Sequence, residues 1–98
     1  MRTVFVDTGA WIALAVRRDQ LHPSAAAYAR RLARALTPLL TTNYIMLETY
    51  NYIRYQYDHQ KALVFDTIIQ DLIQAGHLTI VWVTEEVHKR ATRYFPYL

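Results

Sequence analysis

The sequence predicts a single α/β domain, residues 1–98, with a short parallel sheet flanked by helices. Three short runs of apolar residues alternate with longer stretches in which apolar residues recur at helical spacing. Short apolar strands separated by helices are typical of a parallel sheet covered on both faces. The predicted order of elements is β-α-α-β-α-α-β-α, without repeats or linkers.

The first half of the chain supplies one strand and two helices. Residues 3–6 are the first predicted strand, and residues 10–16 continue as a short apolar helix. Pro23 stands where a helix tolerates proline best, in its first turn, and the alanine-rich stretch after it is a strong helix former. Pro38 ends this second helix.

The middle of the chain repeats the pattern. Residues 39–41 are predicted to form the second strand, and Thr42 or Asn43 caps the helix that follows. A further helix covers about residues 61–75. Gly76 is placed as the left-handed residue that follows its end.

The last part of the chain adds a third strand, residues 77–83, and a helix that begins after Thr84 and extends to about Tyr94. Three strands are few for this architecture. Because the sequence stops at Leu98, where another strand is expected, we expect the last strand or strands to be missing from the domain.

Composition excludes several classes of protein. The absence of Cys excludes disulfides and thiolate metal sites. A hydrophobic content of 53% favours a folded globular protein. The apolar stretches are too short to span a bilayer and the start lacks a signal-peptide pattern, so we expect a cytoplasmic protein with no membrane contact. The net charge of +3 is only slight support for a nucleic-acid partner.

An acid, Asp7, directly follows the first strand. Ligands of parallel sheets bind beyond the carboxyl ends of the strands, so Asp7 is a candidate functional residue, although alone it is equally well explained as a helix cap. Gly9 and Gly76 are the only glycines, which excludes the glycine-rich dinucleotide motif and the phosphate-binding loop. Gly9 also excludes the Asp-x-Asp pair of the haloacid-dehalogenase phosphatases.

Glu48 is the second candidate carboxylate. It falls about two turns into the helix after the second strand, at the edge of an apolar face, where a carboxylate is costly to bury unless it is paired, protonated or bound to a cation. If the first two strands are neighbours, Asp7 and Glu48 converge. A divalent cation such as Mg²⁺ would relieve their repulsion and lower the pKa of a bound water. Glu48 alone is more simply a surface acid.

At these residues the sequence resembles the PIN-domain ribonucleases, in particular the VapC-type toxins of prokaryotic toxin–antitoxin pairs. The resemblance lies in VFVDTGAWIAL, LLTTNYIMLETYNYIR and the more generic TIVWVTEEVHKRATRYF, and it covers the chain in its order of elements. It implies a PIN-like three-layer sandwich that hydrolyses RNA with Mg²⁺ or Mn²⁺ held by several acids. The first two acids match Asp7 and Glu48. Thr8 matches the hydroxyl residue after the first acid, a hydrogen-bonding partner rather than a catalyst.

The resemblance also implies partners: an antitoxin that binds over the active-site groove and a second copy in a homodimer. The third and fourth acids of the family lie in a Ser-x-Thr-Asp stretch that has no counterpart in this sequence. Two hypotheses follow. The chain is a metal-dependent endoribonuclease toxin, or it is a catalytically incomplete PIN-like fragment that binds protein or oligomerises.

Three residues after the first helix are candidates for substrate binding: Arg17, Arg18 and His22. PIN-like folds often have a mobile segment near the cleft at this point. The alternatives are a solvated helix face for the arginines and a role in starting the second helix for His22. The arginines would track phosphates only if they border a cleft.

Five of the eight tyrosines lie between Tyr44 and Tyr57. Aromatic faces can stack on unpaired bases. Tyr44, Tyr50 and Tyr57 recur near helical spacing, however, which more often indicates a core or a partner interface. We favour an interface, since tyrosine is enriched there.

Overall fold

The computed structural model describes residues 2–86, 89 and 90. Three strands alternate with pairs of helices, which confirms the predicted α/β class. The elements are β1 (Val4–Phe5), α1 (Thr8–Ala15), α2 (His22–Arg34), β2 (Leu39–Thr42), α3 (Asn43–Gln56), α4 (His59–Gln74) and β3 (Leu78–Val81). Residues 85, 86, 89 and 90 are helical, at the start of the last predicted helix; the rest of that helix lies outside the described residues.

The sheet is parallel and its strands follow the order β1-β2-β3. Val4 lies opposite Leu39, and Leu39 lies opposite Leu78, so all three strands are in direct register. The strands β1 and β2 are therefore neighbours. This is the condition on which the predicted convergence of Asp7 and Glu48 depends. In the described part of the chain, β1 is an edge strand.

Three of the helices α1 to α4 begin at a residue whose side chain accepts a backbone N–H in the first turn. The N–H of Ala10 donates to Asp7 at the start of α1, that of Ile45 to Thr42 at the start of α3, and that of Lys61 to Asp58 at the start of α4. Each bond satisfies a donor that lacks a partner within the helix. The cap at Asp7 starts α1 two residues earlier than the sequence predicts.

Both crossover helices α2 and α4 end with the same backbone motif, in which a left-handed residue follows the last turn. At the end of α4 this residue is Gly76, as predicted, with φ 76°. At the end of α2 it is Leu36, with φ 54°. The second helix therefore ends at Arg34, four residues before the proline that was expected to stop it.

The core lies between α1, α3, α4 and β3. Trp11, Ile53, Phe65 and Ile69 are almost completely buried in it. The rings of Trp11 and Phe65 meet edge to face with centroids 6.0 Å apart. Burying each of these large side chains contributes roughly 1.5–3 kcal/mol, so this cluster holds α1 and α4 together.

Helix α2 is packed differently, because none of its residues is buried. Its apolar side borders a cavity of about 170 Å³ between α2 and the β1–α1 segment. The cavity is lined by side chains that include Phe5, Trp11, Leu14, Tyr28 and Leu32.

Candidate active site

Asp7 stands between the carboxyl end of β1 and the start of α1. Its backbone is extended, its Oδ1 accepts the N–H of Ala10 at 3.2 Å, and its carbonyl accepts the N–H of Trp11 at 3.1 Å. The residue is exposed. No side chain of residues 2–86, 89 and 90 forms an ion pair with Asp7, so its second carboxylate oxygen is open to a ligand.

The backbone just before Asp7 is fixed to the neighbouring strand. The N–H of Val6 donates to the carbonyl of Leu40 at 2.8 Å, and the buried hydroxyl of Thr41 donates to the carbonyl of Val6 at 3.0 Å. The indole N–H of Trp11 donates in turn to the Thr41 hydroxyl at 3.2 Å. These bonds join β1, β2 and α1 directly behind Asp7, which makes its position rigid.

Glu48 is the sixth residue of α3 and is exposed. The helix turns its opposite side to the core, where Thr49 and Ile53 are buried. Tyr50 borders a cavity together with Phe65 of α4 and lies about 200° around the helix axis from Glu48. Glu48 is therefore on the flank of α3 that faces away from α4.

The remaining predicted residues occupy different places. Thr8 is the half-buried first residue of α1 and adjoins Asp7. Its role as a hydrogen-bonding partner stays a prediction, as does metal ligation by Asp7 and Glu48. Arg17 is exposed beyond the C-terminal end of α1.

Arg18 and His22 make contacts within the protein. The guanidinium carbon of Arg18 lies 5.3 Å from the centre of the Tyr57 ring, at the far end of α1 from Asp7. The Nδ1 atom of His22 lies 2.8 Å from the carbonyl of Ala13. Since a carbonyl only accepts, this nitrogen carries the proton, and His22 joins the start of α2 to the last turn of α1.

Four of the other acids have partners in the structure. Asp58 pairs with Lys61, Glu85 with Lys89 and Glu86 with Arg90, while Asp19 accepts the N–H of Leu21. The hydrogen bond from the Lys61 side chain is the main reason why the pKa of Asp58 is lowered. Within the described ranges, no three acidic or histidine side chains group closely enough to hold a metal.

Sequence reasoning missed an aromatic groove on the side of α3 that faces α4. It has a volume of about 400 Å³ and is lined by residues that include Tyr44, Met46, Leu47, Phe65 and Trp82. The sequence feature that could have indicated this groove is Trp82, a tryptophan at the end of a predicted strand. In the structure its side chain is exposed.

Comparisons with known proteins support the fold. The structure resembles VapC20 of Mycobacterium tuberculosis, a Sarcin–Ricin loop cleaving toxin, with a TM-score of 0.71 and 23% identity over 96% of this chain and 67% of that one. The resemblance to VapC-type PIN domains is therefore confirmed for the fold. No protein-family model matches the sequence, and comparison with curated proteins gives no match.

None of the helices in the described part of the chain is long and apolar enough to cross a membrane.

Proposed function

We propose that this chain is an endoribonuclease of the PIN type that needs Mg²⁺ or Mn²⁺ and acts as the toxin of a toxin–antitoxin pair. The observation that carries the proposal is the placement of Asp7, a rigidly held and exposed carboxylate at the carboxyl end of β1. Ligands of parallel α/β sheets bind at this edge. The fold shared with an RNA-cleaving toxin supports the same reaction.

Asp7 and Glu48 have the chemistry of a magnesium site. Mg²⁺ is usually bound through one or two carboxylates, retained waters and substrate phosphates. Asp7 offers an oxygen outside its capping bond, and Glu48 is an exposed acid with no cation partner among the described residues. A bound ion would lower the pKa of a water and neutralise the charge that develops on the phosphate.

The chain's own residues position these oxygens. The bonds from Val6 and Thr41 to the neighbouring strand hold the backbone of Asp7, and α3 holds Glu48 on a packed helix. Thr8, next in sequence to Asp7, would donate its hydroxyl hydrogen to a carboxylate or phosphate oxygen. Such preorganisation matters because a site that shifts by about 1 Å can lose about 100-fold in rate.

Cleavage of RNA by the purified chain tests the proposal. A fluorescently labelled RNA mixture is incubated with Mg²⁺, Mn²⁺ or EDTA, and we expect products only with a metal. Glu48→Gln keeps the shape of the side chain and removes its charge, so cleavage should fall by about 100-fold, which corresponds to about 2.7 kcal/mol of lost metal stabilisation. Cleavage that persists in EDTA, or that Glu48→Gln leaves unchanged, contradicts the assignment.

We further propose an antitoxin protein and a second copy of the chain as partners, and the cytoplasm as the compartment. These follow from the same toxin assignment. Co-purification with the product of a small gene next to the gene for this chain tests the antitoxin. Analytical ultracentrifugation of the purified chain tests for a second copy.

The second candidate function is a protein-binding or oligomerising module without catalysis. It is favoured by the exposed apolar surface around the aromatic groove, where Leu47 and Trp82 are 62% and 68% exposed. Exposed patches of this kind often mark protein contacts. Calorimetric titration separates the candidates: a stable oligomer that takes up neither Mg²⁺ nor Mn²⁺ supports the module, whereas metal uptake lost in Glu48→Gln supports the enzyme.

A further inference from the structure

The five tyrosines in and directly after α3 divide into two sets. Tyr50 and Tyr57 pack against the core. Tyr44, Tyr52 and Tyr55 are 50%, 44% and 79% exposed. A role in the core therefore explains only the first set. Of the second set, Tyr44 borders the aromatic groove, whereas Tyr52 and Tyr55 lie outside both the core and the groove.

The exposed set shares one face of α3 with Glu48. Tyr44, Glu48, Tyr52 and Tyr55 succeed each other at intervals of four, four and three residues, which places them within about 80° of the helix circumference. We call these four residues the tyrosine stripe. It extends for about 16 Å along the helix and has the proposed metal ligand inside it.

The stripe meets the aromatic groove at Tyr44, which borders both, and beyond that residue the two surfaces differ in chemistry. The groove contains the aliphatic side chains of Met46 and Leu47. The stripe has phenol rings, one carboxylate and, beside them, the amide of Asn51. Acidic residues are depleted at the centres of protein interfaces, so a stripe with Glu48 within it is a poor centre for one.

Nucleobases fit such a surface. Each base has a flat face that can stack on a phenol ring, whatever its sequence, and the stacking contributes about 1–3 kcal/mol per base. Glu48 is a member of the stripe, and the proposed function places the cleaved phosphate next to Glu48. Rings on both sides of Glu48 would hold the nucleotides on both sides of that phosphate.

We infer that the tyrosine stripe is a stacking platform for the unpaired bases on either side of the cleaved phosphate. This inference rests on the proposed function for the identity of the ligand. Tyr52 and Tyr55 carry most of the stacking. In a duplex the faces of the bases are already stacked on one another, and only an unpaired segment can present them to the protein.

Binding of a short labelled RNA, measured by fluorescence anisotropy, tests the inference. A mixed-sequence single strand is compared with the same strand annealed to its complement, on ice, with Mg²⁺ and with EDTA in parallel. We expect Tyr52→Ala and Tyr55→Ala each to weaken binding of the single strand by about 10-fold. Tyr52→Phe and Tyr55→Phe keep the ring and should bind within about twofold of the unmodified chain.

Tyr28→Ala is the matched control. Tyr28 is 46% exposed on α2, outside the stripe, with Arg31 over its ring, and its removal should leave RNA binding unchanged. Circular dichroism checks that all variants are folded, which is expected because the substituted rings lie outside the core.

Several results would overturn the inference: an unmodified chain that binds no single-stranded RNA or prefers the duplex, or alanine variants that bind the single strand as tightly as the unmodified chain. A change in sedimentation of the alanine variants without a change in RNA binding would make the stripe a protein interface instead. Ring-dependent binding without cleavage in any metal would support the stacking platform and reject the proposed enzyme, so the two can fail separately.

Discussion

The two crossover units of the fold, residues 4–38 and 39–77, contain the same succession of a strand and two helices but differ in how the helices begin and end. In the second unit, Thr42 and Asp58 cap both helices, Lys61 pairs with Asp58, and Gly76 takes the left-handed position at the end. In the first unit, α2 has no side-chain cap, and a leucine takes the left-handed position.

The two units differ in how closely the residues at their helix ends follow their conformational preferences. In the second unit, both N-caps and the left-handed residue after α4 are residue types that these conformations prefer. The first unit combines a strained residue, Leu36, with a loosely packed helix, α2. Leu36 precedes β2 and Asp7 follows β1, so they lie at opposite edges of the parallel sheet. The strain at Leu36 therefore belongs to the turn between α2 and β2 and not to the candidate site.

The sharpest contrast is between the two carboxylate caps, Asp7 and Asp58. Asparagine caps a helix about as well as aspartate, so Asp7→Asn and Asp58→Asn both remove a charge and keep the cap. We expect Asp7→Asn to lower RNA cleavage by about 100-fold or more, since metal stabilisation is worth several kcal/mol. Asp58→Asn should cleave at the normal rate. Equal rates for the two variants would mean that Asp7 is only a cap.

Hydrogen exchange compares the packing of the two units. Helix α2 has no buried residue and borders a cavity, whereas α4 buries Ala62, Phe65 and Ile69. Local opening follows the density of buried contacts. Amides in the middle of α2 should therefore exchange at least about 10-fold faster than those in the middle of α4, a difference of about 1.4 kcal/mol in opening free energy. Exchange in the native protein is followed by mass spectrometry. Equal protection of the amides of α2 and α4 would show that the two units open together.

The two left-handed residues give a reciprocal pair of substitutions. Leu36→Gly removes backbone strain at a side chain that is 67% exposed, and Gly76→Ala introduces strain where nothing lies within 4 Å of the added Cβ. After the entropy of glycine in the unfolded chain is counted, we expect about 0.5–1 kcal/mol of stabilisation in the first case and a similar loss in the second. Urea unfolding measures both, and the same sign for both substitutions would contradict the explanation.

The sequence allowed the fold to be predicted better than the site. Apolar strands and helical periodicity predicted the order of elements because both report burial directly. The third strand was predicted too long, to residue 83, because Val83 leaves the sheet: its N–H donates instead to the side chain of Asn43 at 2.7 Å. The left-handed Leu36 was unpredictable, since leucine rarely adopts that conformation.

At the site, Asp7 was recognisable as both a cap and a strand-end acid, and the structure shows the cap. The division of the tyrosines was beyond sequence reasoning. Tyr50 and Tyr52 have the same chemistry and differ only in the flank of α3 that they occupy, and the packing of α4 against one flank decides which of them lies against the core.

The smallest effect concerns acid stability. The hydrogen bond from the Lys61 side chain, with help from its backbone N–H, lowers the pKa of Asp58 below 3.8 in the folded protein. The stabilisation is therefore fully present above the unfolded pKa and is lost as the pH falls through the folded pKa. Asp58→Asn should therefore lower the melting temperature at neutral pH, and the melting temperatures of the variant and the unmodified chain should converge as the pH falls through the lowered pKa of folded Asp58. Lys61→Met, which removes the cation and keeps the cap, should show the same convergence to a smaller extent. Melting curves that stay separated at low pH would mean that the Asp58 charge contributes nothing and that the second unit depends on its caps alone.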